Sequence, residues 1–208
     1  MPTYRALLIG NGTTLSQTRL AELARQAHVL LAVDGGADHA LRAGLTPDVV
    51  IGDLDSVSPR TKKLLAPRLV HVPTQENTDL EKALLWARQN HVTHVTLAGF
   101  VGNRWDFSIG NLLTLSAYAR KLNVRVAGED WMIYPLVKSA QLACAKNKRL
   151  SLIPLQPCRH VTLTGCKYPL RDENLPPGTT RTLSNQTTST RVRLTFTRGK
   201  LLVYLEGN

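Results

Sequence analysis

Short apolar runs alternate with segments of helical periodicity through the first two thirds of this 208-residue chain. Six of the runs predict strands: RALLIG, HVLLAVD, DVVIGD, LVHVP, HVTLAGF and NVRVAG. Between them, apolar residues recur at helical spacing, for example at Leu80, Ala83, Leu84 and Ala87, and Thr78 can cap that helix. Strands that are apolar throughout and alternate with helices predict a parallel sheet covered on both faces, and therefore an α/β fold.

The pattern changes after about Trp131, where apolar and polar residues alternate and where LPPGTT and TRGK supply turns. Val192, Leu194 and Phe196 are predicted to face a core, and the turn near Gly199 is predicted to join them in a hairpin to residues 201–205. Such alternation is typical of antiparallel strands. We therefore expect an α/β domain of residues 1–133 and an all-β domain of residues 134–208.

Basic residues concentrate in the second of these domains. The net charge of the chain is +11, and residues 131–208 contribute +9 of it, from 12 Lys and Arg against 3 Asp and Glu. This charge favours solubility, and it also leaves open a basic module that binds nucleic acid or another polyanion. Nucleic acid is the less favoured partner, because aromatic residues make up only 5% of the chain and the basic residues are dispersed.

The sequence carries no signal for secretion or membrane insertion. Its start has no basic segment and only a short apolar run, and no later stretch reaches membrane-spanning length. Cys144, Cys158 and Cys166 form no CxxC pair and are odd in number, so neither a zinc site nor a disulfide framework is indicated. We expect a cytoplasmic protein with reduced cysteines and no membrane partner.

Acidic residues concentrate where the predicted strands end. Nine of the 15 carboxylates lie between Asp34 and Asp106. In an open parallel sheet, ligands bind beyond the carboxyl ends of the strands, where the connecting loops and helix starts meet. The sequence therefore predicts one acidic edge, formed by Asp34, Asp53, Asp55, Asp79 and Asp106.

The stretch VIGDLDSV places two of these carboxylates two positions apart. If the chain stays extended through Leu54, Asp53 and Asp55 share one face. At a separation of roughly 6 Å they would repel by roughly 1–3 kcal/mol at an intermediate dielectric constant, and a magnesium ion offsets that repulsion. The alternative is a solvated turn in which Asp55 caps the helix in SPRTKKLLA.

Polar and glycine-rich turns follow the same strands. In VDGGAD, Gly35 and Gly36 leave room for backbone N–H groups to approach a phosphate, and Arg104 in GNRWD has the geometry for a bidentate phosphate contact. The stretch contains neither a Walker A motif nor a complete GxGxxG, so a P-loop or dinucleotide site is not indicated. For Asn11, which follows the first strand, a phosphate contact and simple turn formation both remain open.

Three segments, in this order, resemble motifs of the thiamine pyrophosphokinase family, which transfers a diphosphoryl group from ATP to thiamine: VDGGADHALRAGLTPDVVIGDLDSV, ENTDLEKAL and GFVGNRWDFSIGNLL. In the second domain, LTGCKYPL and TLSNQ resemble the Lys-Tyr-Pro-Leu and Ser-Asn stretches of that family. The resemblance extends from about Ala6 to the C-terminus.

The resemblance implies a Rossmann-like, three-layer catalytic domain with a parallel sheet, an all-β sandwich domain that binds thiamine, and a homodimer. It implies Mg²⁺ as cofactor and ATP as co-substrate. The catalytic residues that it implies are Asp55, Asp79, Arg104 and Asp106, and the metal ligands are Asp53, Asp55 and Asp79. The nucleotide site that it implies contains Asp34, Gly35, Gly36, Asp53, Ser56, Gln75 and Asn103, and the thiamine site contains Ser184 and Asn185.

Three departures from the family pattern bear on the chemistry. Phe107 stands where the family usually has histidine, and Asn103 replaces a glycine, which a positive φ would permit. Gln75 and Glu76 stand where lysine and aspartate are common, so one charge is kept and one is lost. These changes keep two same-fold alternatives open, namely a diphosphokinase for another alcohol and an inactive relative.

Overall fold

The computed structural model describes residues 3–207, and these form two compact units. The first unit comprises the residues up to Thr114 together with Lys121–Glu129. The second comprises Leu115–Arg120 together with the residues from Asp130 onward. The molecule combines α/β and antiparallel β structure, as the change of sequence pattern near Trp131 predicts.

All six predicted strands are present in the first unit. They are β1 (Arg5–Ile9), β2 (Val29–Val33), β3 (Val49–Gly52), β4 (Leu69–His71), β5 (His94–Ala98) and β6 (Asn123–Ala127). Every neighbouring pair is parallel, in the spatial order β6-β5-β1-β2-β3-β4. The chain thus moves outward from β1 in one direction as far as β4 and then returns to the other side of β1 with β5.

Helices connect the parallel strands. They are α1 (Gln17–Arg25), α2 (Gly36–Arg42), α3 (Pro59–Leu64), α4 (Asp79–Gln89) and α5 (Trp105–Tyr118), with a short 3-10 helix at Ala66–Arg68. Thr78 caps α4 as predicted, since its side chain accepts from the N–H of Glu81 at 3.3 Å. Among the residues that the structure describes, no helix is long and apolar enough to cross a membrane.

The cap of α3 excludes an alternative that the sequence left open for Asp55. Ser58, not Asp55, is the N-cap residue, and its side chain accepts from the N–H of Thr61. Asp38 on α2 in turn accepts hydrogen bonds from the Ser58 and Thr61 hydroxyl groups, both at 2.6 Å. A capping role for Asp55 is therefore wrong, because a serine nearer the helix already satisfies its first N–H groups.

Eight strands make up most of the second unit. They are β7 (Trp131–Leu136), β8 (Ala140–Ala143), β9 (Arg149–Pro154), β10 (Cys158–Thr164), β11 (Leu170–Leu175), β12 (Asn185–Gln186), β13 (Arg191–Thr195) and β14 (Leu201–Glu206). They pair antiparallel in the orders β12-β9-β14-β7 and β11-β10-β13-β8. Side chains from both groups of four strands pack into one buried core, so the two antiparallel layers face each other.

The predicted hairpin around Gly199 is wrong. Val192, Leu194 and Phe196 are buried as expected, but β13 pairs with β8 and β10, whereas β14 pairs with β7 and β9. The turn therefore carries the chain from one layer to the other. Buried side chains of both strands then pack into the same core from the two layers.

The three cysteines are free thiols. Cys158 and Cys166 belong to the core of the second unit, and Cys144 is half-buried against it. Burial raises the pKa of Cys166 to about 11, so this thiol is protonated at neutral pH. Their contribution is packing, in agreement with the expectation of reduced cysteines.

Gly36 packs α2 closely against β1, and this contact makes a prediction about stability. A Cβ atom at Gly36 would overlap the carbonyl oxygen of Ile9, so we expect Gly36→Ala to lower the free energy of unfolding by about 2–3 kcal/mol. Gly110 on α5 is the matched control, because a Cβ there meets nothing within 4 Å and Gly110→Ala should be neutral or slightly stabilising. Urea denaturation of both variants measures the difference, and equal stability of the two would contradict the packing argument.

Candidate active site

A cavity of about 650 Å³ lies at the carboxyl ends of the parallel strands in the first unit. The segments that follow β1, β2, β3, β4 and β5 all contribute to its wall. It brings together eight of the residues predicted from the sequence: Asp34, Asp53, Asp55, Ser56, Gln75, Asp79, Asn103 and Arg104. Gly35, Gly36 and Asp106 do not line this cavity, and Ser184 and Asn185 belong to the second unit.

Three carboxylates form the centre of the cavity wall. One oxygen from each of Asp34, Asp53 and Asp55 lies within 4.8 Å of the other two. Asp79 lies beside them, since a Cβ on Gly52 at the end of β3 would be 3.1 Å from the Asp34 Cβ and 3.4 Å from the Asp79 Oδ1. Four of the five carboxylates of the predicted acidic edge therefore line the cavity, with Asp34 rather than Asp79 in the tightest group, whereas Asp106 is not part of the lining.

Asp53 and Asp55 both face the cavity, but the backbone between them is not the extended one that was predicted. The chain does not stay extended, because Leu54 has a φ of +66°, in the left-handed region. The Leu54 side chain is buried and packs with Val50, Val57 and other residues of one core cluster. Burial of this side chain stabilises the unfavourable backbone conformation and leaves the two flanking carboxylates on the cavity wall.

Asp34 has the most unusual environment in the cavity. It is 8% exposed, and its Oδ1 is a buried oxygen with no hydrogen-bond partner in the described part of the chain. Burial raises the pKa of this carboxyl group, and the charges of Asp79 and Asp53 act in the same direction. A buried oxygen without a partner, beside two further carboxylates, fits a hard divalent cation such as Mg²⁺.

Lys82 was not recognised from the sequence as a site residue. Its side chain is only 4% exposed, and its Nζ donates to Asp79 Oδ1 at 2.8 Å on the first turns of α4. It also lines the cavity, where it places one positive charge among the carboxylates. The spacing of three residues between Asp79 and Lys82 was a usable signal, since such residues are neighbours on a helix.

Gln75 takes a position beside Asp53. Its Nε2 donates to Asp53 Oδ2 at 3.4 Å, while the N–H of Asp55 donates to Asp53 Oδ1 at 3.2 Å. These hydrogen bonds, with that from the Asp55 N–H the larger cause, hold the pKa of Asp53 below its ordinary value. Gln75 thus supplies a neutral donor at a position where the family resemblance predicts a lysine.

The loop after β5 carries Arg104 and two of the departures from the family pattern. Arg104 forms an ion pair with Asp106, which holds the pKa of that carboxyl group below its ordinary value, and both groups are exposed. The Arg104 guanidinium also lies over the Phe107 ring, 4.3 Å from its centre. Phe107 therefore contacts the arginine through its ring face, where a histidine would offer a ring nitrogen.

Asn103 has the positive φ that allows asparagine to replace the glycine of the family pattern. Its φ is +52°, and asparagine tolerates this left-handed region better than most residues. Its Oδ1 accepts from the Thr13 hydroxyl at 3.3 Å, which ties the loop after β5 to the loop after β1. Asn111 on α5 is buried and donates to the carbonyl oxygen of Phe100 at 2.8 Å, which holds the other end of the same loop.

Asn185 forms hydrogen bonds through both ends of its side-chain amide within the second unit. Its side-chain oxygen accepts from the N–H of Tyr168 at 3.0 Å, and its nitrogen donates to the Tyr168 carbonyl at 2.7 Å. Ser184 has a φ of +56° and an exposed side chain. Asn185 therefore shapes the backbone around Tyr168, while the Ser184 hydroxyl is accessible to a ligand.

Comparison with known families identifies both parts of the chain. Residues 20–127 match the family described as "Thiamin pyrophosphokinase, catalytic domain", and residues 138–201 match "Thiamin pyrophosphokinase, vitamin B1 binding domain". The chain belongs to the thiamin pyrophosphokinase family. Apart from Gly10, Asn11 and Gly12, the residues that line the acidic cavity lie within the part that matches the catalytic domain.

Individual relatives agree with this assignment. The chain is 30% identical over 181 residues to the thiamine pyrophosphokinase of Bacillus subtilis (strain 168), a match that covers 83% of this chain and 85% of that protein. Thiamine pyrophosphokinase 1 of Oryza sativa subsp. japonica is 25% identical over 203 residues, covering 82% and 76% of the two chains.

Solved structures show that the fold is shared as well. The crystal structure of the Bacillus subtilis thiamine pyrophosphokinase superposes with a TM-score of 0.86 at 25% identity, covering 98% of this chain and 99% of that one. The thiamin pyrophosphokinase of Candida albicans gives a TM-score of 0.84 at 17% identity, covering 99% and 90%, and shows likeness of fold alone.

The raised pKa of Asp34 makes a prediction about stability and pH. In metal-free buffer, the native state binds a proton at Asp34 more tightly than the unfolded state does, so its contribution to stability is lost as the pH rises through the folded pKa. We expect Asp34→Asn to remove this loss and to stabilise the metal-free protein by about 1 kcal/mol at neutral pH. Mg²⁺ should raise the melting temperature of the wild type more than that of the variant.

Asp38 provides the matched control with the opposite sign. Burial acts to raise its pKa, but hydrogen bonds from Ser58 and Thr61 outweigh burial and hold it below the ordinary value. Asp38→Asn should therefore lose stability, most of all above the unfolded pKa of about 4. Thermal melts from pH 4 to pH 8, with and without Mg²⁺, test both variants, and equal stabilisation of wild type and Asp34→Asn by Mg²⁺ would rule out Asp34 as a ligand.

Proposed function

We propose that this chain catalyses the Mg²⁺-dependent transfer of a diphosphoryl group from ATP to the hydroxyl group of thiamine, with AMP as the second product. The observation that carries the proposal is the carboxylate group Asp34, Asp53 and Asp55, with its buried and unpartnered Asp34 oxygen, inside the part of the chain that matches the catalytic domain. Phosphoryl-type transfer depends on positioning and charge neutralisation, and this cavity supplies groups for both.

The metal site of this proposal consists of Asp34, Asp53 and Asp55, with Asp79 beside them across Gly52. A bound Mg²⁺ would neutralise charge on the phosphate oxygens and hold them near the carboxylates. Gln75 and the N–H of Asp55 orient Asp53, and Lys82 orients Asp79. Ser56 completes this wall by donating to Asp55 Oδ1 at 2.9 Å.

In the proposed reaction, the thiamine hydroxyl oxygen forms a bond to the β-phosphorus of ATP. The bond between that phosphorus and the oxygen bridging to the α-phosphate breaks, and AMP leaves with the electron pair of that bond. The hydroxyl proton passes to a carboxylate of the cavity wall. Arg104 lines the cavity and is exposed, so its guanidinium, which pairs with Asp106, can also contact phosphate oxygens. We assign Asn103 and the glycine pair Gly35 and Gly36 to the nucleotide site of this proposal.

We assign a different binding function to each of the two parts of the chain. We propose that residues 1–133 form a Rossmann-like, three-layer domain that binds ATP and Mg²⁺, supported by the order of the parallel strands and by the helices that connect them. Residues 134–208 are proposed to form a β-sandwich that binds thiamine, with Ser184 and Asn185 on the thiamine side, supported by the match to a vitamin B1 binding domain.

We also propose a homodimer in the cytoplasm. Three large apolar side chains at intervals of four residues stand exposed along α5, namely Trp105 at 76%, Ile109 at 58% and Leu113 at 51%. Such a stripe on a surface helix is typical of an interface, since its burial against a second copy removes apolar surface from water. The three free thiols agree with a reducing compartment.

Product analysis tests the proposed reaction directly. The purified protein is incubated with ATP, Mg²⁺ and thiamine, with parallel reactions lacking thiamine or the metal. We expect AMP and thiamine diphosphate in equal amounts, and only in the complete reaction. ADP would mean transfer of a single phosphoryl group, and no consumption of ATP would favour another acceptor or an inactive chain.

Asp55→Asn tests the role of the carboxylate group. Removing one negative charge from it should lower kcat by about 100-fold or more, because charge neutralisation at the phosphates is lost, while the circular dichroism spectrum stays unchanged. Asp48→Asn is the matched control, since Asp48 precedes β3 at the end opposite to Asp53 and lies outside the cavity. Near-normal kcat in Asp55→Asn would contradict the metal assignment.

Leu113→Glu tests the proposed interface. A charge at the C-terminal end of the α5 stripe should shift the protein from dimer to monomer in sedimentation velocity, with the dissociation constant raised by about tenfold or more. Leu64→Glu is the control, because Leu64 on α3 is also exposed, at 64%, but lies outside the stripe. A Leu113→Glu variant that sediments like the wild type would exclude α5 from the interface.

A further inference from the structure

Asn11 lies at the start of the loop after β1 and lines the cavity. Its side-chain oxygen Oδ1 is 2.9 Å from the Nε2 atom of His39 on α2. The sequence alone left a phosphate contact and simple turn formation equally open for this residue. The hydrogen bonds around His39 decide between them, because they determine which end of the Asn11 amide group faces the cavity.

Arg42 determines the tautomer of His39. Its Nη2 atom lies 3.1 Å from His39 Nδ1, and a guanidinium group can only donate hydrogen bonds. Nδ1 must therefore be an acceptor without a proton, which also lets it accept from the Thr14 hydroxyl at 2.6 Å. The ring proton is consequently on Nε2, and the group it meets on Asn11 must be the oxygen.

Two further facts keep this arrangement in place. Burial lowers the pKa of His39, and the charge of Arg42 lowers it further against the opposing effect of Asp38, so the ring is neutral at neutral pH. Arg42 itself is held by a hydrogen bond from its Nε to the Asp38 carbonyl oxygen at 3.2 Å. The donor on Nε2 is thus a stable property of the fold.

The Asn11 NH₂ group remains available to a ligand. Within residues 3–207 its Nδ2 forms no hydrogen bond, although Oδ1 is engaged by His39. The carboxamide lies directly over Gly35, where a Cβ atom would be 2.5 Å from Nδ2. The two N–H donors of the Asn11 side chain therefore lie without a partner on the wall of the cavity, next to the turn at Gly35 and Gly36.

We propose that the Asn11 NH₂ group donates a hydrogen bond to a phosphate oxygen of the bound nucleotide and that His39 is the positioning residue that orients it. This inference rests on the proposed function, because it takes the nucleoside triphosphate as the ligand of the cavity. It adds Asn11 as a binding residue and names the hydrogen bonds that orient it: Arg42 and Thr14 orient His39, and His39 orients Asn11.

The tautomer can be measured without any ligand. Long-range ¹H–¹⁵N correlation spectra at neutral pH distinguish Nε2–H from Nδ1–H in histidine rings. We expect His39 to be in the Nε2–H form. An Nδ1–H form would overturn the positioning role of His39 whether or not the protein is an enzyme.

Isosteric variants test the contact to the nucleotide. Asn11→Asp replaces the donor by a carboxylate oxygen, so the Kd for ATP should rise by about tenfold or more, with little change in the KM for thiamine. His39→Gln keeps a donor near the Nε2 position and should bind ATP almost like the wild type. His39→Glu offers only an acceptor, turns the Asn11 amide around, and should weaken ATP binding as much as Asn11→Asp does.

Asn123→Asp is the matched control. Asn123 also pairs with a histidine, its Nδ2 lying 3.0 Å from His94 Nε2, but it stands at the start of β6 and outside the cavity. Its variant should bind ATP like the wild type. Unchanged ATP affinity in Asn11→Asp, in a wild type that releases AMP, would overturn this inference alone, whereas a wild type that binds no ATP would overturn the proposed function together with it.

Discussion

Repulsion among carboxylates at the ends of β2 and β3 is the constraint around which the first unit is organised. Asp34 follows β2, which pairs with β3, and the burial of Leu54 with its left-handed backbone leaves Asp53 and Asp55 on the same cavity wall. One Asp34 oxygen stays buried without a partner. This arrangement is unfavourable by itself and would be relieved by a divalent cation, as expected of a binding site rather than of a structural core.

Neutral and positive groups around these carboxylates limit the cost of that arrangement. Lys82 donates to Asp79, and Gln75 and the N–H of Asp55 donate to Asp53, whereas burial raises the pKa of Asp34. The loops after β1 and β5 add donors such as Asn11 and Arg104 to the lining of the same cavity. The cavity therefore combines carboxylates suited to a cation with donors suited to phosphate oxygens.

Local sequence patterns were sufficient for most of the elements. All six parallel strands, the Thr78 cap and the positive φ of Asn103 follow from short-range rules. The hairpin predicted at Gly199 was wrong because each strand pairs with distant strands of a different layer. The alternative of a cap at Asp55 is excluded because Ser58, held by Asp38, satisfies that helix start.

The sequence by itself determined the class of fold, the acidic edge and the family resemblance, because periodicity, strand ends and motif spacing are properties of neighbouring residues. Only the tertiary structure decided that Asp34 is the buried member of the carboxylate group, that Lys82 joins it, and that His39 turns the Asn11 amide toward the cavity. These features depend on contacts between segments that are distant in the chain. Packing determines which groups are buried and which way hydrogen bonds point at such contacts, and local sequence patterns do not predict that packing.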